Sequence, residues 1–218
     1  GNPDLRPEYS DSYEFAAIYN TSGLSINCGI YQLNTTEKIT YVTSLEKNIS
    51  KRSPENLGTS NANGIEINGK LDVSKIIVIT SDFNLNRFNR RGIWGSQNFN
   101  FNGTRWSSEF RSKIKFPKDL DIELTLNYLS EYRTVDGERG PSRNINFGIR
   151  KKIVEGRGVI NLMVRDIFGT RVSESRAIRS NFIVNNWSTS GTFFSLGFSY
   201  GFGKGEAMEY QSKGGRRR

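Results

Sequence analysis

Within residues 87–94 the chain sets Arg87, Arg90 and Arg91 among Phe88 and Trp94, and three further arginines, Arg133, Arg139 and Arg143, follow in polar stretches. A guanidinium is a planar fork of donors that grips anionic or polar groups and stacks on aromatic rings, so this cluster has the chemistry of a contact for an anionic ligand. A solvated loop with no dedicated ligand has the same composition. Other chemistry is thin. The chain has no His and one Cys, Cys28. That excludes a Ser-His-Asp triad, a His-bearing zinc site, a His general base and an internal disulfide. No two carboxylates are isolated by sequence as an acid-base pair. Gly201-Phe202-Gly203-Lys204-Gly205 has the residue types of a phosphate loop, but not its spacing, and no helical pattern follows it. The sequons at Asn20, Asn34, Asn48, Asn102 and Asn186 are what chance gives in so Asn- and Ser-rich a chain. The expectation is a non-enzyme with no catalytic residue, no metal and no cofactor.

The elements that must carry the arginines are strands. Leu120, Ile122, Leu124, Leu126 and Tyr128 alternate with Asp121, Glu123, Thr125 and Asn127. Ile65, Ile67, Leu71 and Val73 alternate with Glu66, Asn68, Lys70 and Asp72. Ile145, Phe147, Ile149 and Ile153 alternate with Asn144, Asn146, Arg150 and Lys152, and Phe194, Leu196, Phe198, Tyr200 and Phe202 with Ser195, Gly197, Ser199 and Gly201. A period of two is the mark of a ribbon with one apolar and one polar face. No segment of similar length keeps a 3.6 period, so no major helix is expected. Nine strands are predicted, near 10–20, 24–45, 58–73, 76–88, 98–116, 119–133, 143–154, 159–171 and 184–203. Tight turns near 20–23, 74–75, 117–118 and 155–158 alternate with longer polar loops near 46–57, 89–97, 134–142 and 172–183.

The chain's 218 residues suffice for one or two domains, and its 31 Lys and Arg against 22 Asp and Glu give a net charge of +9. The mean hydropathy is −0.57 and no stretch approaches the ~20 apolar residues of a membrane helix. A β-barrel escapes that test, because its spans are ~10 residues long and half polar. Two features favour such an up-and-down barrel over a soluble sandwich. Many strands exceed the usual length of roughly 5–6 residues. Aromatics also collect towards strand ends: Tyr13, Phe15, Tyr19, Phe110, Phe116, Tyr200 and Phe202. On this reading Ile65, Ile67, Leu71, Leu120, Ile122, Leu124, Leu126, Ile145, Phe147, Ile149, Phe194, Leu196 and Phe198 face the membrane, and the charged alternates face a wet bore. Asp166 breaks the pattern, since it shares parity with Val164 and Phe168. A bulge is expected there, or a position above the membrane. The positive charge fits anionic surroundings, and no nucleic-acid motif accompanies it.

Three segments carry a resemblance. Gly1-Asn2-Pro3-Asp4-Leu5-Arg6-Pro7-Glu8, leading to Tyr13-Glu14-Phe15, is similar to the "GNPxLxPE…YE" stretch of TonB-dependent receptor barrels. Asn56-Leu57-Gly58 with Gly64-Ile65-Glu66 resembles that family's "NLG…GIEI", and Val164-Arg165-Asp166-Ile167-Phe168-Gly169-Thr170-Arg171 its penultimate-strand "VxDxFxTR". Ser195 to Phe202 resembles the outer-membrane assembly signal, with Gly197, Tyr200 and Phe202 at its defining positions, although sixteen residues follow it.

The resemblance implies an all-β, antiparallel, up-and-down transmembrane barrel. Residues 1–203 would be its C-terminal portion, about nine of 22 strands, and 204–218 a basic disordered periplasmic tail. It implies the outer membrane, with outer-membrane lipid and the barrel-assembly machinery as partners. It also implies contact with TonB through an N-terminal part that precedes this stretch, and import of a nutrient such as a siderophore or glycan. The long loops would lie outside, where the arginines meet either ligand or anionic lipopolysaccharide. A scaffold barrel in a surface complex, without transport, is the alternative.

Overall fold

A computed structural model of the chain describes residues 2–47, 49–95, 97–178 and 182–202. It contains fifteen strands and, among the described residues, no helix: β1 (Tyr9–Asn20), β2 (Leu24–Thr36), β3 (Ile39–Glu46), β4 (Ile49–Asn56), β5 (Thr59–Asp72), β6 (Ile77–Trp94), β7 (Gln97–Phe116), β8 (Leu120–Leu129), β9 (Tyr132–Arg133), β10 (Gly137–Arg139), β11 (Ser142–Ile153), β12 (Gly158–Arg165), β13 (Val172–Ile178), β14 (Ile183–Thr189) and β15 (Phe193–Tyr200). Nine of them form one antiparallel sheet in the order β1-β2-β5-β6-β7-β8-β11-β12-β15. β1 and β15 are its two edges. The other six form a two-stranded sheet, β3-β4, and a four-stranded sheet, β14-β13-β10-β9.

The nine expected strands thus exist as nine sheet members, with several boundaries corrected. The span 24–45 stops at Thr36, and the chain continues into the β3-β4 hairpin. The span 119–133 ends at Leu129, and 159–171 at Arg165. The span 184–203 divides, with Ile183–Thr189 in the small sheet and Phe193–Tyr200 in the large one. The loop expected at 89–97 is strand, because β6 and β7 pair up to Trp94↔Gln97. The loops expected at 46–57, 134–142 and 172–183 largely form the small sheets. Tight turns follow β1, β5, β7 and β11, as expected. Lys118 (φ 63°) and Asp119 (φ 56°) take left-handed backbone to reverse β7 into β8. Gly203 and the tail 204–218 lie outside the described residues.

Register makes the two faces continuous. Leu24, Leu71, Ile79, Ser112, Leu124, Phe147, Val164 and Phe194 form one cross-strand row. Ile77, Ile114, Ile122, Ile149, Leu162 and Leu196 form the next. All thirteen residues read from the sequence as membrane-facing lie on this Leu124 face. Among the described residues no second layer covers it: Leu196 is 75 % exposed, Phe194 67 % and Phe198 66 %. The opposite, Glu123 face is polar and internally paired, with Lys113–Asp121 at 2.9 Å, Arg111–Glu109 at 2.6 Å and Arg111–Glu123 at 3.4 Å. Lys151 alone among the lower charges sits on the Leu124 face, beside Leu120 and Ile160. Its ammonium reaches back to the Lys118 carbonyl at the turn, so the charge leaves the apolar band at its rim.

Towards the end that bears the small sheets, the faces exchange character. Above the row Leu85↔Trp106, the Leu124 face carries Arg87, Asn89, Arg91, Asn100, Asn102 and Thr104. The Glu123 face there carries Phe88, Trp94, Phe99 and Phe101. Trp94, Phe99 and Phe101 pack on buried Val42, Leu57 and Val135, a core made with the small sheets. Phe88 fits because Gly103 lies across from it, where a Cβ would come within 2.3 Å of the Phe88 ring. Trp106 stacks on Tyr128 (4.5 Å) at the level where the exchange occurs.

Candidate functional site

β8 pairs with β7 only as far as Ser107↔Leu129. Ser130 closes the ladder: its N–H donates to the Trp106 carbonyl (2.9 Å) and its hydroxyl accepts from the Trp106 N–H (3.0 Å). Above that point the ladder stops, and β9 runs beside β7 without pairing to it. The chain instead turns through β9 and β10, and β10 pairs with β13. Between this four-stranded sheet and the β7 edge lies a cleft of about 930 Å³.

Pairing builds its wall. Glu138 lies opposite Arg133 on β9 and opposite Arg176 on β13, and Glu174 lies opposite Trp187 on β14. Arg87 and Arg139 also line the cleft, with Glu131 at its base. Arg133 stands over the Phe101 ring (5.9 Å) and Arg105 over Tyr132 (4.9 Å), which ties β9 to β7. Among the described residues none of Arg87, Arg133, Arg139, Arg176, Glu131, Glu138 and Glu174 forms an ion pair, whereas Arg111, Glu109, Glu123, Lys113 and Asp121 of the lower Glu123 face do. Such a surface can meet a ligand carrying both signs of charge, with Trp187, 66 % exposed, as an apolar platform.

Of the arginines singled out in the sequence, Arg87, Arg133 and Arg139 meet here, and the others do not. Arg90 points to the Glu123 face, 5.3 Å from the Phe88 ring, with its Nε buried and unbonded. Burial lowers its guanidinium from the ordinary value, and Arg105 lowers it further, against the raising effect of Tyr132 and Glu8. Arg91 donates to the Asn89 side chain (3.2 Å) on the exposed Leu124 face. Trp94 belongs to the Val42 core. Arg143, second residue of β11, lies opposite Tyr128 and does not line the cleft. Glu138, Glu174, Arg176 and Trp187 were not legible as site residues, because only the β10-β13-β14 register assembles them.

The three resembling segments turn out to be fastenings. Asn2 donates to the Pro54 carbonyl and to Glu55 (both 3.0 Å), Arg6 pairs with Glu37 (2.8 Å), and Asn56 bridges the Arg6 and Glu37 carbonyls. Glu8 accepts from Lys38 (2.9 Å) and from the Ile39 amide (3.0 Å), pinning the start of β3. Partial burial pulls the Glu8 carboxyl up, but the Ile39 amide, Lys38 and Arg90 outweigh it and hold it below its ordinary value. Asp166 ends β12 in left-handed backbone (φ 51°), 2 % exposed. Its carboxylate accepts from the Thr170 N–H (2.9 Å), the Thr170 hydroxyl (3.2 Å) and the Arg171 N–H (2.8 Å). The apparent break in alternation is therefore a capped turn where the strand stops. In the terminal motif Gly197 lies on the Glu123 face opposite Asn161, Tyr200 on the other, and Phe202 follows β15, its ring 5.0 Å from Tyr200.

No curated protein and no solved structure matches the chain. The model of the outer membrane protein beta-barrel family matches residues 1–200. An unlayered apolar face on a nine-stranded antiparallel sheet is what such a barrel requires, and this chain belongs to the outer membrane protein beta-barrel family, which places it in the outer membrane.

Proposed function

We propose that the chain supplies the C-terminal strands of a TonB-dependent receptor that binds a nutrient outside the cell and passes it inward. One observation carries this reading. The same strands change polarity along their length, and the unpaired charges of the cleft sit on the water side of that change. The thirteen apolar residues of the Leu124 face, from Ile65 to Phe198, then contact lipid, and the decorated end of the sheet lies outside. β1 and β15 have free edges in this sheet, and an orphan amide in hydrocarbon costs several kcal/mol, so further strands must close the barrel. Gly197, Tyr200 and Phe202 are read as the signal taken by the barrel-assembly machinery.

The test is uptake. Strains lacking this gene, or lacking TonB, are grown on siderophore-bound iron, glycans, peptides and vitamins as limiting nutrients. Loss of growth on the same nutrient in both strains is the expected result. Normal uptake of every class by the gene deletion would overturn transport and favour a scaffold barrel.

A further inference from the structure

We propose that the cleft, with the polar band beside it, holds the phosphorylated sugar headgroup of an outer-leaflet glycolipid. The proposal rests on the assignment of the Leu124 face to lipid and is independent of transport. The β6 and β7 side chains that line the cleft are Arg87, Asn102 and Thr104, all three on the Leu124 face. Their neighbours on the Glu123 face, Phe88, Phe101 and Arg105, do not line it. The cleft therefore adjoins the outward side of the wall, not the bore.

Its height fits a headgroup. Trp106 and Tyr128 stack on the Leu124 face at the polarity switch, where aromatic side chains mark a membrane interface. Thr104 lies two residues beyond Trp106, and Asn102 four. At ~3.4 Å per residue and a ~40° tilt these stand about 5 and 10 Å higher. An ordinary headgroup layer is roughly 5–8 Å thick on each side of a bilayer, and sugars extend it further.

Its chemistry fits a phosphorylated sugar. Arg87 and Arg176 present guanidinium forks to phosphate. Glu138 and Glu174 can accept from sugar hydroxyls, and exposed Trp187 offers a flat apolar surface. From Asn102 a row of carboxamides crosses the outward face, Asn102 beside Asn89, then Asn61, then Asn34. Asn89 donates to Asn102 and accepts from Arg91, which ties the row together. Such a row offers donors and acceptors to hydroxyls across four strands. A ligand bound for the bore has no use for it, because it lies on the outside of the wall.

Full-length protein refolded in detergent free of glycolipid is titrated with purified lipopolysaccharide, and the bound complex is read by native mass spectrometry. Saturable binding is expected, with Arg87→Gln/Arg176→Gln weakening it about tenfold or more. Lys70→Gln, on the Glu123 face beside Asp72, should stay within about twofold of wild type. Enzymatically dephosphorylated lipopolysaccharide should bind wild type as weakly as the intact form binds the double variant, a comparison that needs no variant to fold. Equal binding of the intact and dephosphorylated forms, no loss in the folded double variant, or displacement by excess inorganic phosphate would each overturn the proposal. A polarity-sensitive fluorophore on Cys28, exposed between Ile26 and Ile30 of the Leu124 face, tests the underlying assignment in lipid vesicles. Water-like emission would overturn that assignment and this proposal together. Hydrocarbon-like emission without lipopolysaccharide binding would overturn this proposal alone.

Discussion

Leu124 is the position at which the orientation of the sheet is most sharply exposed to test. It lies four residues from Leu120 at the turn end of β8 and four from Tyr128 at the polarity switch. At ~3.4 Å per residue that is about 14 Å of strand on either side, or about 10 Å of height for a ~40° tilt. Leu124 therefore stands at the middle of the apolar band. An Arg on the lipid face at the midplane costs ~2–4 kcal/mol, which is about 30- to 700-fold in the folding equilibrium. Near the interface the same charge costs only ~0–1 kcal/mol. Asn127 is on the Glu123 face, directly opposite Glu109, where an added guanidinium finds a carboxylate and water.

The experiment compares Leu124→Arg, Leu120→Arg and Asn127→Arg in the full-length protein folded into short-chain phosphatidylcholine vesicles, with heat-modifiable gel mobility across a urea series as readout. Leu124→Arg should destabilise by the full midplane cost. Leu120→Arg, at the level where Lys151 already reaches the turn, should lose about 1 kcal/mol or less. Asn127→Arg should be close to neutral. Equal losses at all three, or a larger loss for Asn127→Arg than for Leu124→Arg, would refute the assignment of faces.

Asp166→Ala removes three accepted hydrogen bonds and a residue type that tolerates φ 51°, so it should destabilise by about 2–5 kcal/mol. Asp166→Gly keeps the backbone freedom but loses the cap, and Asp166→Asn keeps both in part, so urea midpoints should fall in the order Asn, Gly, Ala. Gly103→Ala drives a Cβ into the Phe88 ring and should cost about 1–3 kcal/mol, with recovery in Gly103→Ala/Phe88→Leu; a single variant as stable as wild type would show the ring has room to move. The lowered Glu8 carboxyl gives a sign for pH. Its lock on β3 is present above the ordinary carboxyl value of 4.5 and is lost as pH falls through the depressed one. Hydrogen-exchange protection across 38–56, taken relative to the intrinsic rate at each pH, should therefore fall on the acid side of that range in wild type, and be lower yet pH-independent there in Glu8→Gln.

The large sheet was legible because a period of two survives in residue type wherever one face is apolar for several residues, as in Leu120 to Tyr128. It stopped being legible where the faces exchange. From Phe83 to Trp94 the parity of β6 is unbroken, but the apolar set passes from Leu85 to Phe88 and Trp94, on the opposite face. Read as a single pattern, that exchange looks like a loop. The cleft was half legible for a different reason. Arg87, Arg133 and Arg139 announce themselves by type, whereas Glu174, Arg176 and Trp187 enter only through pairing of β10 with β13 some forty residues on. Asp166 looked anomalous because parity assumes a continuing strand, and its side chain is what ends it.

The exchange of faces also explains why the charged cleft sits where it does. Below Trp106 the sheet needs no second layer, because hydrocarbon takes the apolar side and water the polar one. Above it both faces meet water, and apolar side chains must find one another instead. They do so on the Glu123 face, where Val42 of β3, Leu57 after β4 and Val135 between β9 and β10 close over Trp94, Phe99 and Phe101. That small core holds the four-stranded sheet beside β7, with β9 against the upper part of β7. Burying the seven cleft charges unpaired would cost several kcal/mol each, so the wall that bears them has to stay open to water until a ligand with matching charges arrives. An apolar wall would have collapsed onto its neighbours, and a fully paired one would have nothing to offer a ligand. A cleft of mixed, unpaired charge is the arrangement that stays both solvated and available to a ligand.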